Sequence, residues 1–513
     1  MNVVFRVDAS TLMGAGHVMR CLTLANELRR YGVETGFVAR AHNGHLNKLI
    51  IGQGHELHTL SSHENIATFS EGDIYAEWLG VPWERDAEET IEEIRHLHID
   101  WVVVDHYAID EKWLKKIRPY VKQIFVIDDL ANRRLDCDVL LDQTYSRREE
   151  EYQGLVNEHC KLLVGSEYAL LRSEFSRLRP AAIEKRKSFS GVERILISMG
   201  ANDPCNLTED ILDELEGVVW HKKPFVDVVL GSQAPHLRAV IEKSKLHSLR
   251  VNISVEVTDM ARRMLDADLA IGASGATSWE RCCLGLPTIT FVTAENQRFV
   301  AKALVDAEVV LECGRDDCAD GTLKQLVGLL DGTPEKWKEL SAKAFMVTDG
   351  MGANRVVQHI VSMKARDGLP VYLRTVTISD AELLYKWQSD PRTRRYSNNS
   401  SIPSFEEHVS WLNDQLKKPA SVFQMIMHGN APSGVIRLDP AKDSTFGDFI
   451  VSIYVSPSKY RLGLGKISVT LLCEMVEGCR LLAQVHEGNA ASHALFSSCG
   501  FVRVSESYYS KQI

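Results

Sequence analysis

The chain has 513 residues, 45% hydrophobic and 25% charged, a globular mix of about three domains that excludes a disordered chain, a collagen and a disulfide-dense miniprotein. Lys and Arg number 59 against 69 Asp and Glu, a net charge of −10, which disfavours a dedicated nucleic-acid binder. The opening MNVVFRVDAS is broken by Arg6 and Asp8 and forms no signal-peptide core. No stretch reaches about 18 uninterrupted apolar residues, so no membrane insertion and a soluble, cytoplasmic protein are expected. The eleven cysteines are scattered. The nearest pairs, Cys282-Cys283 and Cys313-Cys318, have no partner pair at zinc spacing, and buried reduced thiols are expected.

In chain order, Val3–Val7 reads as a strand, then a Gly-bearing loop, then a helix from about His17 to Tyr31 stopped by Gly32. Strands follow at Thr35–Ala39, Trp101–Asp105 and Gln123–Ile127, an alternation that predicts a parallel, doubly wound sheet. Residues 180–192 (PAAIEKRKSFSGV) read as a linker with a solvated basic face. A second α/β unit carries strands at Arg194–Ser198, Val226–Leu230, Leu269–Ile271 and Thr288–Val292, with closing helices to about Met363. Residues 365–370 (ARDGLP) read as a second linker. The remainder reads as α+β: a strand at Val371–Val376, a helix at Ala381–Gln388, antiparallel strands at Ser421–His428 and Gly434–Asp439, and a strand at Phe449–Val455 leading into a Gly-containing loop and an apolar helix. The expected domains are 1–180, 191–363 and 370–513.

Gly14-Ala15-Gly16-His17-Val18-Met19-Arg20 joins the first strand to the first helix. Glycines there let backbone approach a ligand, and the helix N-terminus supplies free N–H groups. The dipole disfavours a protonated ring, leaving His17 able to take a proton. A capping or core histidine is the alternative. The wider pattern is more specific: RVDAS at 6–10, the stretch 14–25, Val104-Asp105-His106-Tyr107, IDDLANR at 127–133, GSEYALLRSE at 165–174 and ISMGANDPCN at 197–206. Together these resemble the hydrolases that act on the UDP-sugar precursor of pseudaminic acid, relatives of the GT-B glycosyltransferases. The resemblance covers residues 1 to about 360. It implies two Rossmann-like domains, His17 as the base that activates water, Tyr107 near the sugar, and substrate contacts from Gly14, Gly16 and Arg20.

Gly272 to Arg281 (GASGATSWER) runs from a strand end into a helix, and small residues at such a junction suit a diphosphate. Glu280 can accept from ribose hydroxyls; a structural turn with a dipole-compensating Glu is the alternative. The resemblance implies UDP contacts from Gly275, Ala276, Thr277 and Glu280. It places Asn296 and Gln297 at the sugar, with Asn296 a second catalytic residue, whereas the residues alone favour loop capping. A nucleoside diphosphate leaves without protonation, so one base and stabilisation of the developing negative charge suffice. The family implication is metal-free anomeric C–O cleavage with inversion. Asp105-His106 suggests a ligand pair, but two residues are too few for a metal.

The last 145 or so residues resemble the GNAT acetyltransferases. The strand ending at Val455 runs into Tyr460-Arg461-Leu462-Gly463-Leu464-Gly465-Lys466, and Asn489, Ser492 and Gly500-Phe501 match the second half of that family's signature. The resemblance implies acetyl-CoA as cosubstrate, held by Val455, residues 461–466, Asn489 and Ser492. Tyr460 stands where the family has Gln or Arg, and Phe496 where many members have a Tyr near the thiolate. The proton donor is left open, and His486 or Glu487 are candidate bases beside a surface reading. Arg392–Arg395 and Glu407–Trp411 match the acceptor side of the amino-sugar and ribosomal-protein branches, while Trp387 and Trp411 read as core. Joined, the halves would acetylate the 4-amino group of a UDP-linked 4-amino-4,6-dideoxy sugar and then remove UDP. The alternatives are a GT-B glycosyltransferase with a half that only binds acetyl-CoA, and, least, an oxidoreductase. Sugar stereochemistry, channelling and oligomeric state are not legible.

Overall fold

The computed structural model describes residues 1–62, 75–314, 320–397, 399, 401–441 and 448–513. The chain divides into two compact units, 1–178 with 185–353, and 179–184 with 354–513.

The first unit holds two parallel sheets. The first comprises β1 (Asn2–Val7), β2 (Glu34–Arg40), β3 (Glu56–Leu60), β4 (Ile99–Asp105), β5 (Val121–Ile127), β6 (Val139–Asp142) and β7 (Lys161–Val164), in the order β3-β2-β1-β4-β5-β6-β7. The second comprises β8 (Arg194–Ser198), β9 (Phe225–Leu230), β10 (Arg250–Val255), β11 (Leu269–Ala273), β12 (Thr288–Phe291) and β13 (Leu311–Glu312), in the order β10-β9-β8-β11-β12-β13. Their central strands are near-continuous apolar runs buried on both faces, as parallel sheets between helices require. Each sheet winds outward from its first strand and then crosses to the other side. The switch points lie between β1 and β4, and between β8 and β11. Ligands of doubly wound sheets bind outside the carboxyl ends of the strands at such points. The two predicted Gly-bearing loops sit at these two places.

The second unit is one mixed sheet: β14 (Met363–Lys364), β15 (Pro370–Thr375), β16 (Val422–His428), β17 (Ala431–Pro440), β18 (Asp448–Val455), β19 (Arg480–Gln484), β20 (Val502–Arg503) and β21 (Tyr508–Gln512). The order is β14-β15-β16-β17-β18-β19-β21-β20, antiparallel except where β18 meets β19.

Three expectations change. The helix Ser173–Arg186 runs through Pro180, so most of the first expected linker is helical. Of its basic cluster, Lys187 is exposed, but Lys185 and Arg186 are tied to backbone carbonyls. Lys185 donates to the carbonyls of Leu265 (3.1 Å), Asp266 (2.6 Å) and Ala267 (3.2 Å), and Arg186 to those of Ala267 (2.6 Å) and Met264 (3.0 Å). They cap the helix Met260–Asp266, whose last carbonyls lack intrahelical donors. The second expected linker is a hairpin turn, because Met363 pairs with Val371. From Asn354 onward, the helix Gly352–Ile360 belongs with the second unit. Gln358 there accepts from the Leu373 amide at 2.8 Å, and Arg355 donates to Gln424 at 3.3 Å. Ten cysteines are described, and no disulfide joins any two of them; Cys318 lies outside the described residues.

Candidate active sites

The helix Gly16–Arg30 begins at the first switch point. Gly14 and Gly16 present a backbone on which an added Cβ would meet only open space. His17, one residue into the helix, is 7% exposed, and its Nδ1 lies 2.6 Å from Asp105 Oδ1 at the end of β4. Burial works against the Asp105 charge, but Arg20 and His17 outweigh it and hold the carboxyl well below the usual range. An ionised carboxylate only accepts, so Nδ1 carries a proton, and in the neutral ring the lone pair is on Nε2. The 3.4 Å approach of Arg20 Nη2 to Nδ1 is too long to compete.

Arg20 chelates Asp105 through Nε and Nη2, both at 2.7 Å, and reaches Asp129 at 3.0 Å. Three of its N–H groups thus go to carboxylates, and through them it holds Asp105 in place. Tyr107 is buried, its ring edge-on to His17 at 4.6 Å, and burial pushes its hydroxyl well up. Trp78 stacks on Tyr107 at 5.4 Å and meets the edge of His17 at 5.8 Å. Asp105 and Trp78 were not read as partners of His17. Asp105 was read beside His106, which instead turns its Nε2 toward Asp8, 3.4 Å away. Among the described residues, no group of three His, Cys, Asp or Glu could hold a metal.

At the second switch point the loop between β11 and the helix Thr277–Cys283 is small and uncharged. Gly272 is required there, because a Cβ would stand 2.6 Å from Arg281 Nη1 and 2.8 Å from the Ser198 carbonyl. Gly275 is open except toward Gln297, whose Nε2 lies 3.9 Å from where a Cβ would be. Gln297 Oε1 accepts from the Thr293 amide at 3.0 Å. Ala276 precedes the helix and Thr277 opens it. Glu280 reaches Arg172 at 3.5 Å, and burial, only partly offset by Arg172, raises its carboxyl. Gly275 and Ala276 thus lie on the loop, Thr277 and Glu280 on the first turn of the helix that follows, and Gln297 approaches from the turn after β12. Asn296 is exposed on the turn Glu295–Gln297, and no contact ties it to His17.

In the second unit, β18 and β19 pair only from Asp448↔Arg480 to Ile450↔Leu482, after which β18 continues to Val455 alone on that side. The strands part and leave a slot between them. The loop beyond Val455 has left-handed backbone at Arg461 (φ +67°) and Gly463 (φ +85°), bracketing Leu462, and leads into the helix Leu464–Met475 with no side-chain cap. Such alternation turns successive N–H groups to one side, a cradle for phosphate oxygens. Gly465 packs toward Leu495 and Lys466 is exposed. Arg366, from the former linker, donates to the Arg461 carbonyl at 3.1 Å and steadies the loop. Asn489 caps its helix by accepting from the Ser492 amide at 3.1 Å. Phe496 is buried against Phe501, while His493 Nδ1 meets the Tyr509 hydroxyl at 2.9 Å. His486 and Glu487 are exposed. Trp387 is core as expected, but Trp411 is 40% exposed with Arg437 over its ring at 5.2 Å, a correction to the core reading.

Residues 371–502 match the acetyltransferase (GNAT) domain model. MurG of Acinetobacter baumannii has a similar fold, with a TM-score of 0.52 at 17% identity over 70% of this chain and 99% of that one. The chain thus joins two Rossmann-like domains of GT-B type to a GNAT acetyltransferase domain, the class that takes its acetyl group from acetyl-CoA.

Among curated relatives, an uncharacterized protein of Methanocaldococcus jannaschii is 25% identical over 98% of this chain and 96% of its own. The UDP-2,4-diacetamido-2,4,6-trideoxy-β-L-altropyranose hydrolase of Campylobacter jejuni is 27% identical over 53% of this chain and 85% of its own. The chain is therefore similar to a sugar-nucleotide hydrolase in one part and carries a domain that matches the GNAT acetyltransferases in the other. Among the described residues, no helix is long and apolar enough to cross a membrane.

Proposed function

We propose that the first unit hydrolyses the anomeric C–O bond of a UDP-2,4-diacetamido-2,4,6-trideoxy sugar. We propose that the second N-acetylates the 4-amino group of its UDP-amino-sugar precursor, two steps of pseudaminic acid biosynthesis. The observation that carries the first reading is the His17–Asp105 pair at the switch point between β1 and β4. Asp105 fixes the Nδ1–H tautomer and leaves Nε2 to accept a proton from water. The water oxygen bonds to the anomeric carbon, the bond from that carbon to the phosphate oxygen breaks, and UDP leaves with the electron pair. Attack from the face opposite UDP inverts the centre. Tyr107 and Asn296 are assigned to the sugar, and Gly275, Ala276, Thr277, Glu280 and Gln297 to UDP.

In the second unit the parted strands and the 461–466 loop support acetyl-CoA binding, with the pyrophosphate on the loop amides. Acetyl-CoA supplies the acyl group; the loop, Val455, Asn489 and Ser492 orient it. The test is direct. The purified full chain is incubated with the UDP-4-amino sugar and acetyl-CoA, and CoA and UDP are followed by chromatography. Both should be released, UDP without any added acceptor. Release of UDP only when a hydroxyl acceptor is supplied would make the first unit a glycosyltransferase, and release of neither would end the proposal.

A further inference from the structure

Among the described residues, two buried arginines of the first unit, Arg186 and Arg281, donate to no carboxylate; Arg186 lies 4.0 Å from Asp268 and caps the carbonyl end of a helix, whereas Arg281 does neither. Arg6, Arg20, Arg40 and Arg147 each hold a carboxylate, at 2.6 Å (Asp86), 2.7 Å (Asp105), 2.7 Å (Asp86) and 2.6 Å (Asp142). Arg281 is 3% exposed, and among the described residues no carboxylate lies within ion-pair distance of it. The neighbouring Glu280 is turned to Arg172. The guanidinium donates instead to the Ala273 carbonyl (2.8 Å), Ser278 Oγ (3.1 Å) and Thr277 Oγ1 (3.3 Å), and its Nε has no partner.

Burying an unpaired charge is expensive and persists where something offsets it. Here burial lowers the Arg281 pKa to about 10, and the neighbouring Glu280, turned away to Arg172, offsets it only in part. The group lies against Gly272 and beneath the uncharged loop 272–277, at the carboxyl end of β11. A bound anion is the compensation this arrangement lacks.

We infer that Arg281 is a positioning residue for a nucleoside diphosphate: it holds the Gly272–Thr277 loop through the Ala273 carbonyl and the Thr277 and Ser278 hydroxyls, and its charge offsets that of the diphosphate lying on the loop's far side. The inference rests on the proposed UDP-sugar reading and adds the residue that discriminates diphosphate from bare nucleoside. It makes Arg281 act through the loop, with no contact to the reacting carbon.

The test titrates the full chain with UDP by calorimetry and with uridine by saturation-transfer NMR, for wild type, Arg281→Met and Arg281→Lys. For Arg281→Met, UDP affinity should fall about 10- to 100-fold, the scale of a lost charge-assisted interaction, while uridine affinity stays within about twofold. Arg281→Lys keeps the charge and should retain most of the preference for UDP over uridine, which serves if the Met variant does not fold. Equal losses of UDP and uridine would make Arg281 a scaffold only. Unchanged UDP affinity in the Met variant, or a lost preference in the Lys variant, would overturn the inference while leaving the UDP-sugar reading intact. A wild type that fails to bind UDP would overturn that reading and the inference with it.

Discussion

The two halves of the first unit wind their sheets in the same order but furnish the switch points differently. At the first, Arg20 bridges the carboxylates of Asp105 and Asp129, and Asp105 also holds His17, a network in which each of these side chains has a partner. At the second, the loop is Gly, Ala, Ser and Thr, and the charge beneath it is unmatched. A matched network fixes the orientation and protonation of a side chain, which is what proton transfer needs. A small, open loop over a buried cation is, on the inference above, suited to a ligand's negative charge. On the proposed reading, one topology carries a chemical site and a binding site, and the difference lies in the loops. The second unit extends the contrast, since its cosubstrate loop depends on backbone conformation at Arg461 and Gly463.

This division can be broken in graded steps. The largest effect after loss of His17 itself should come from Asp105→Asn. It keeps the shape but loses the carboxylate that holds Nδ1–H, and kcat for UDP release should fall by about 100- to 10,000-fold with KM little changed. The same variant carries a stability signature. The Asp105 pKa is depressed in the fold, so its stabilisation is complete above the ordinary carboxylate range and is lost as pH falls below about 4. The melting-temperature gap between wild type and Asp105→Asn should therefore narrow between pH 6 and pH 3. A gap that widened toward acid would contradict the assignment. Glu280→Gln, on the binding side, should instead raise KM by about 10-fold through a lost charged hydrogen bond, with kcat nearly preserved. A kcat loss matching that of Asp105→Asn would erase the distinction between the halves. The smallest effect belongs to the second unit. Gly463→Ala forces a side chain into φ +85° at about 1–2 kcal/mol, and should raise KM for acetyl-CoA by about 10-fold while UDP release stays at the wild-type rate.

Much of this was legible in sequence, and the exceptions have physical causes. The β-branched runs of β1, β4, β8 and β12 announce buried parallel strands, whereas β3 (ELHTL) and β10 (RVNISV) are half polar and carry no such signal. His17 was legible because a glycine loop, a strand end and a helix start frame it. Its partner Asp105 lies 88 residues away, and only the neighbouring of β1 and β4 unites them. Asp105 ends its strand beside the switch point, and that placement was the available clue. The basic cluster at 185–187 looked solvated because sequence does not show that Lys185 and Arg186 meet the open carbonyls of Met260–Asp266. Arg281 carried no signal either. Its unpaired burial is a property of packing around Gly272, and the residue type alone predicts a surface cation.

The most direct test of the account is UDP release from UDP-2,4-diacetamido-2,4,6-trideoxy-β-L-altropyranose by the full chain, wild type against His17→Ala, with no acceptor present. Release by wild type and a loss of about 100-fold or more in the variant is the predicted result. No release by wild type, or equal release by both proteins, would contradict it.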